Sequence, residues 1–268
     1  MPLLSFQAYV GKTRFLKFAI NDSLVYFFLT VSKVIRVPEI QIDALDGFPF
    51  SAYASQPVGK NGPGIILIHG IFGLTSGLRA HCDALAAQGF LAICPDLFSR
   101  QRQEGVNVDY REEDSEQAQI FYNNFDVNAG IGDLLSTLAH LRRTPGCGGK
   151  LGAIGACLGG RLAFLMAARS DVDCAVGYDN VGIDSFLSEL YDVRTPLMLH
   201  FGEQDSLMGE DARQKILKRA KRNEVIQTYV YPDAGHSFVK KTSPNYHPEN
   251  AEQAEKRTRA FLAEWLKV

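Results

Sequence analysis

Gly155-Ala156-Cys157-Leu158-Gly159 is the stretch that decides the reading of this 268-residue chain. The apolar run Lys150 to Ile154 precedes it and reads as a buried strand; Arg161 to Arg169 follows and reads as a helix. A tight turn between the two holds one side chain at its tip, here a thiol. The backbone of such a turn passes close to its neighbours, and Gly155 and Gly159 have no Cβ to obstruct it. Gly160 extends the patch of small residues. The first turn of a helix also offers unpaired N–H groups and a positive dipole end, which favour a thiolate. Taken alone, the pentapeptide equally describes a structural cysteine between two packing glycines.

Strand, sharp turn and helix with a nucleophile at the tip form the elbow of α/β-hydrolases, where serine is the usual occupant. In that fold the chain order is nucleophile, acid, histidine. After Cys157 comes the apolar strand Pro196 to Phe201, then Gly202-Glu203-Gln204-Asp205. A carboxylate just past the C-terminal end of a strand lies at the edge where such sheets build their sites. The strand-like Val225 to Tyr231 follows, then Pro232-Asp233-Ala234-Gly235-His236-Ser237-Phe238. This pattern assigns His236 as the base that takes the thiol proton and returns one to the leaving group, with Asp205 orienting the imidazole. Glu203 and Asp233 are rival acids, although Asp233 is close in sequence to His236. Singly, Asp205 also reads as a turn or cap residue and His236 as a solvated loop residue.

Acyl transfer needs two N–H donors for the developing oxyanion. One is expected from Leu158, the residue after the nucleophile. The other is expected from the loop after an early strand. Ile65 to Ile68 is that strand and His69-Gly70-Ile71-Phe72-Gly73 the loop, so Ile71 is the second expected donor.

With these parts assembled, the chain resembles the dienelactone hydrolase (carboxymethylenebutenolidase) family. The matching residues are Ile71-Phe72-Gly73, Cys94-Pro95-Asp96-Leu97, Ala129-Gly130, Gly155 to Gly160, Ala175-Val176-Gly177-Tyr178 and Ala234-Gly235-His236-Ser237-Phe238. The resemblance spans roughly Ile40 to Leu266. It implies an α/β-hydrolase fold, a Cys157-His236-Asp205 triad and hydrolysis of small activated esters such as enol-lactones. Members typically carry a glutamate immediately before the oxyanion-loop isoleucine, which takes part in switching thiol to thiolate when substrate binds; here the position is Gly70. The family's carboxylate-binding arginines map to Arg100 and, less well, to Lys240. Lysine holds an anion without the planar fork of a guanidinium. Tyr178, after a strand, either faces the substrate or packs. The alternative is a non-catalytic binding or regulatory protein on a hydrolase scaffold, and the missing carboxylate at position 70 is what favours it. A peroxide-sensing thiol is a third reading, weakened by the lack of an evident resolving cysteine.

Composition bounds the rest. The formal net charge is −2, with no basic stripe of the kind nucleic-acid binding needs. The five cysteines include no Cys-x-x-Cys pair, and the six histidines lack metal-ligand spacing, so no metal, no cofactor and a reducing, cytoplasmic compartment are expected. A small-molecule ester or lactone is the expected partner, with the chain a monomer or simple homodimer.

Strands alternating with helices predict a mostly parallel central sheet with helices on both faces, in a single domain over 38–268. Asp46-Gly47 between Ile40–Leu45 and Phe48–Ala54 signals a hairpin. Helices are expected at Leu78–Gln88, through a long stretch ending at Leu141 and bent or interrupted near Gly130, and at Ile183–Leu190, Ala212–Lys221 and Pro248–Val268. Arg100 to Ser115 is expected as an entrance loop over the catalytic edge, and Thr144 to Gly149 as the turn before the elbow strand. Residues 1–37 read as an extension: a leader, a targeting segment, an addition packed on the domain, or an overextended start. Its apolar Ser23–Ser32 run is too short to span a bilayer comfortably, and no small-residue cleavage site stands out.

Overall fold

The computed structural model describes residues 34–59, 61–102 and 115–267, and the backbone of three strands before them. Those strands, β1 (Tyr9–Val10), β2 (Thr13–Ile20) and β3 (Ser23–Leu29), pair antiparallel in a sheet of their own. Most of the expected entrance loop, residues 103–114, lies outside the described residues.

The main sheet contains β4 (Val34–Asp43), β5 (Pro49–Pro57), β6 (Gly62–Ile68), β7 (Leu91–Pro95), β8 (Cys147–Ala156), β9 (Cys174–Tyr178), β10 (Leu197–Gly202) and β11 (Ile226–Tyr231). Their order across the sheet is β11-β10-β9-β8-β6-β7-β5-β4. The six strands from β11 to β7 run parallel; β5 and β4 add antiparallel at one edge. The Asp46-Gly47 hairpin forms as expected, with Gly47 at φ 82°, and its first strand begins at Val34, earlier than the expected domain start.

Strands buried on both faces read as continuous apolar runs, and β7, β9 and β10 are buried at every position. Among the described residues, six helices surround them: α1 (Ser76–Ala87), α2 (Ser115–Asn123), α3 (Val127–Arg143), α4 (Leu158–Arg169), α5 (Glu210–Ala220) and α6 (Pro248–Leu266). Leu151 of β8 meets Leu141 of α3 at the space over Gly64, whereas the neighbouring Gly152 faces Leu266 of α6. Successive strand residues point to opposite faces, so α3 and α6 cover opposite sides. This is the mostly parallel, doubly covered sheet that the sequence predicts.

One helical expectation is sharpened and another is corrected. The stretch ending near Leu141 breaks before Val127, where the Asp126 carboxylate caps the N–H groups of Asn128 and Ala129. The expected interruption thus falls just before Gly130, which itself lies inside α3 in a close-packing role: a Cβ there would come 2.3 Å from the Phe125 ring. Ile183–Leu190 forms two short 3₁₀ turns, Ile183–Phe186 and Glu189–Tyr191. The elbow strand also starts at Cys147, inside the expected turn.

The register brings the strand ends together. Ile68 pairs with Gly155, Ala156 with Tyr178, Tyr178 with His200, and Gly202 with Tyr231. The loops after β6, β8, β9, β10 and β11 therefore all emerge at one edge. Chain order reverses direction between β6 and β8, and such switch points are where open parallel sheets bind ligands.

Candidate active site

Cys157 sits between β8 and α4 at φ 57°, ψ −117°, a conformation that side-chain-bearing residues rarely adopt and that clusters at functional sites. Its N–H donates to the Tyr178 carbonyl at 3.0 Å, and its own carbonyl accepts from Arg161 N–H at 3.2 Å. Two neighbours permit this turn. A Cβ on Gly155 would lie 2.1 Å from the Gly159 carbonyl oxygen, and one on Gly159 would lie 2.3 Å from that of Ile68.

The base comes from the loop after β11. Buried Phe238 anchors this loop by packing on Tyr231, with ring centroids 4.9 Å apart. Asn245 donates to the His236 carbonyl at 3.0 Å. The acid comes from the loop after β10. Gly202 lets the two loops touch, since a Cβ there would lie 2.5 Å from the Ala234 carbonyl. Gln204 N–H donates to that same carbonyl at 2.9 Å.

The three side chains meet. His236 Nδ1–H donates to Asp205 Oδ2 at 2.9 Å, and the Cys157 thiol lies near enough to the imidazole to favour its charged form. Asp205 Oδ1 is held by the Leu207 N–H at 2.9 Å. Burial alone would lower the His236 pKa. The hydrogen bond to Asp205, the nearby Cys157 thiol and the charge of Asp179 outweigh it and lift the imidazole to about 10. The rival acids lie elsewhere: Glu203 is exposed, and exposed Asp233 accepts from Gln204 at 3.1 Å.

Leu158 opens α4, and Ile71 lies in the loop after β6. His69 fixes that loop. Its Nδ1–H donates to the Gly70 carbonyl at 2.8 Å, while Nε2 accepts from Leu97 N–H at 2.9 Å. A ring nitrogen that accepts an N–H carries no proton, so His69 is the neutral Nδ1–H tautomer, and complete burial holds its pKa low. Gly70 stands beside the nucleophile: a Cβ there would be 3.7 Å from Cys157 Cβ.

The expected substrate-binding residues divide. Arg100 is bound to the protein's own acids, donating to Asp133 from Nε (2.9 Å) and Nη2 (2.7 Å) and to Asp46 from Nη1 (2.8 Å) and Nη2 (3.0 Å). It also lies over the Phe48 ring at 4.6 Å. All three of its guanidinium nitrogens thus donate to these two acids. Tyr178 packs: its hydroxyl bonds Thr258 of α6 at 2.5 Å and its ring stacks on His200 at 4.4 Å. Lys240 stands at the site, its ammonium 5.9 Å from the ring centroid of Phe72 in the oxyanion loop.

Sequence reasoning missed Asp179. It is the first residue past β9 and is buried (1% exposed) at φ 48°. One oxygen each of Asp179 and Asp205 and one nitrogen of His236 lie within 4.8 Å of one another, the one group among the described residues placed to hold a metal ion. An ion there would occupy the atoms that orient the base. The available signal was position: an acid directly after the strand beside the nucleophile strand.

A model of the dienelactone hydrolase family matches residues 50–266, from the antiparallel edge to the last helix. The chain belongs to the dienelactone hydrolase family. The carboxymethylenebutenolidase of Pseudomonas putida is 38% identical over 225 residues, covering 84% of this chain and 95% of that enzyme. Carboxymethylenebutenolidase 1 of Cupriavidus pinatubonensis is 34% identical over the same share of each. Among solved structures, a dienelactone hydrolase-like promiscuous phosphotriesterase from metagenomic libraries superposes with a TM-score of 0.69 at 19% identity, covering 87% of this chain and 98% of that one. An esterase from Pyrococcus furiosus superposes at 0.62 and 19% identity, covering 85% and 92%. These two share the fold. As a dienelactone hydrolase family member the chain is an ester and lactone hydrolase, on the α/β-hydrolase fold. No helix among the described residues is long and apolar enough to cross a membrane.

Proposed function

We propose that the chain hydrolyses small activated esters and lactones of the dienelactone type through Cys157, His236 and Asp205. The observation that carries this reading is His236, bonded to a buried carboxylate and close enough to feel a thiol held at a strained elbow. The Cys157 sulfur, its proton on His236, attacks the acyl carbon. The carbonyl π-electrons move to oxygen, where the Ile71 and Leu158 N–H groups receive the charge. Collapse re-forms the carbonyl and breaks the bond to the leaving oxygen, which takes the proton from imidazolium. Water then adds to the acyl-thioester with His236 as base, releasing the acid and the thiol. Lys240, beside Phe72, serves an anionic group on the substrate; Arg100 and Tyr178 have no part in this mechanism.

The same reading makes the chain a cytoplasmic monomer or simple homodimer with no nucleic-acid partner. Five cysteines, all free, support a reducing compartment. Turnover of an activated aryl ester and of an enol-lactone, compared between wild type and Cys157→Ala, tests the chemistry. Turnover abolished in the variant with an unchanged melting curve is expected. Retained turnover overturns the mechanism, and saturable binding without turnover in the wild type overturns the hydrolase.

A further inference from the structure

Asp179 is a carboxylate that the steps above do not use. It begins the turn after β9, where its N–H donates to the His200 carbonyl at 3.2 Å and its carbonyl accepts from Val181 N–H at 2.7 Å. Its backbone is thereby tied down at a φ that aspartate tolerates only at some cost. The side chain is buried, and neither oxygen has a hydrogen-bonding partner among the described residues. The Ser237 amide lies near enough to favour the charged form without completing a bond. Buried polar atoms are nearly always paired, so an orphaned carboxylate against a catalytic imidazole requires a reason.

We infer that Asp179 is a second positioning carboxylate of the centre, acting on His236 through space to favour the imidazolium–thiolate form of the His236–Cys157 pair. This inference rests on the hydrolase reading only in assigning the pair its use. Asp205 fixes the ring by a direct bond to Nδ1; Asp179 makes no such bond, so its contribution is charge, undiluted by water. An anion within about 4–6 Å favours a neighbouring cation by one to three pKa units. The groups that face Asp179 come from three elements: His236 and the Ser237 amide after β11, Asp205 after β10, and Tyr178 of β9. Burial chiefly, and Asp205 secondarily, raise its carboxyl to about 7, while His236 opposes them. Its charge therefore grows across neutral pH, and the imidazolium gains support as it does.

A cation bridging Asp179, Asp205 and His236 is the less supported role, because both carboxylates are buried behind the ring and Nδ1 is already bonded.

The test is the pH profile of iodoacetamide alkylation at Cys157, read peptide by peptide, in wild type, Asp179→Asn and Asp205→Asn. Burial pushes the thiols of Cys82, Cys94, Cys147 and Cys174 up, leaving their peptides as slow internal references. Asp179→Asn is expected to slow alkylation near pH 7.5 by about tenfold or more and to move the profile to higher pH. A carboxyl whose folded pKa lies above its unfolded value costs stability once ionised, so the same variant should melt no lower than wild type near pH 8. Superimposable profiles overturn the inference. A wild-type check needs no variant: carbon NMR of labelled aspartate should show one carboxyl titrating near neutrality in step with the His236 ring signals, and its absence also overturns it. Neither readout requires turnover. A hydrolase reading that failed in Cys157→Ala would thus be distinguished from a failure here.

Discussion

Gly155 and Gly159 face each other so closely that a Cβ on the first would sit 2.1 Å from the carbonyl oxygen of the second. The obstructing atom is backbone and cannot swing aside. The elbow strand or the helix behind it would have to move, and overpacking of this kind costs about 1–3 kcal/mol or more. Gly155→Ala should lower the urea midpoint accordingly and should reduce activity beyond the loss of folded protein, because Cys157 moves with the turn. Midpoint and specific activity, measured on the same preparation, check both.

The strained backbone of Cys157 separates stability from function. At φ 57°, ψ −117° a glycine is at ease and an alanine is not. Cys157→Gly and Cys157→Ala should both be inactive, with turnover down by several orders of magnitude, as when a nucleophile is removed. The glycine variant should nevertheless be the more stable, by about 1 kcal/mol. Equal stabilities in a urea series would mean that the turn carries no strain.

Folding and pH are linked through His236. Its pKa stands near 10 in the folded protein against an ordinary 6.5, so the folded state holds a proton that the unfolded chain releases. The resulting stabilisation is fully present below about pH 6.5 and is lost as pH rises through about 10. The margin by which wild type exceeds His236→Gln in urea should shrink steadily across that window. Activity should likewise decline towards pH 10 as the imidazolium that protonates the leaving group disappears. A margin independent of pH would show that the ring gains no proton affinity on folding.

The parts of the site written in local sequence were legible: the glycine pair around Cys157, the acid after an apolar strand, and the histidine in its Gly-containing loop. Each lies within a few residues of a strand end, and a parallel sheet delivers strand ends to one edge. What stayed hidden depends on packing between distant segments. Arg100 looks like an anion-binding residue until Asp46 and Asp133, from a hairpin and a helix, close on it. Tyr178 looks like a site residue until Thr258 of the last helix claims its hydroxyl. Asp179 stands one position beyond Tyr178, and only the packing of the loops after β9, β10 and β11 brings it to His236. The 3₁₀ turns between β9 and β10 were misread as helix because their apolar spacing over eight residues does not separate the two forms.

Gly70 tests whether the nucleophile lacks a neighbouring acid. A Cβ there meets the Ala156 carbonyl at 3.4 Å and Cys157 Cβ at 3.7 Å, both ordinary contacts. Gly70→Ala should therefore fold and keep most activity. Gly70→Glu brings a carboxylate alongside the sulfur, where like charge opposes the thiolate. Its alkylation rate at neutral pH should fall several-fold relative to Gly70→Ala. Identical rates in the two variants would show that position 70 exerts no electrostatic control.

Arg100 and Lys240 give opposite expectations as the cation that meets the substrate. Its partner Asp133 is buried, with a side chain 2% exposed, whereas Asp46 is 60% exposed. Removing the guanidinium strands the Asp133 charge in the interior, and breaking a buried pair is strongly destabilising, typically about 3–5 kcal/mol. Arg100 is itself 24% exposed, and solvent screening brings the expected loss for Arg100→Ala nearer about 2 kcal/mol. KM for a carboxylate-bearing ester should stay close to wild type, while Lys240→Ala should raise that KM without lowering the melting temperature. A raised KM with unchanged stability in Arg100→Ala would reverse the assignment: the ion pairs with Asp46 and Asp133 would then open to admit substrate.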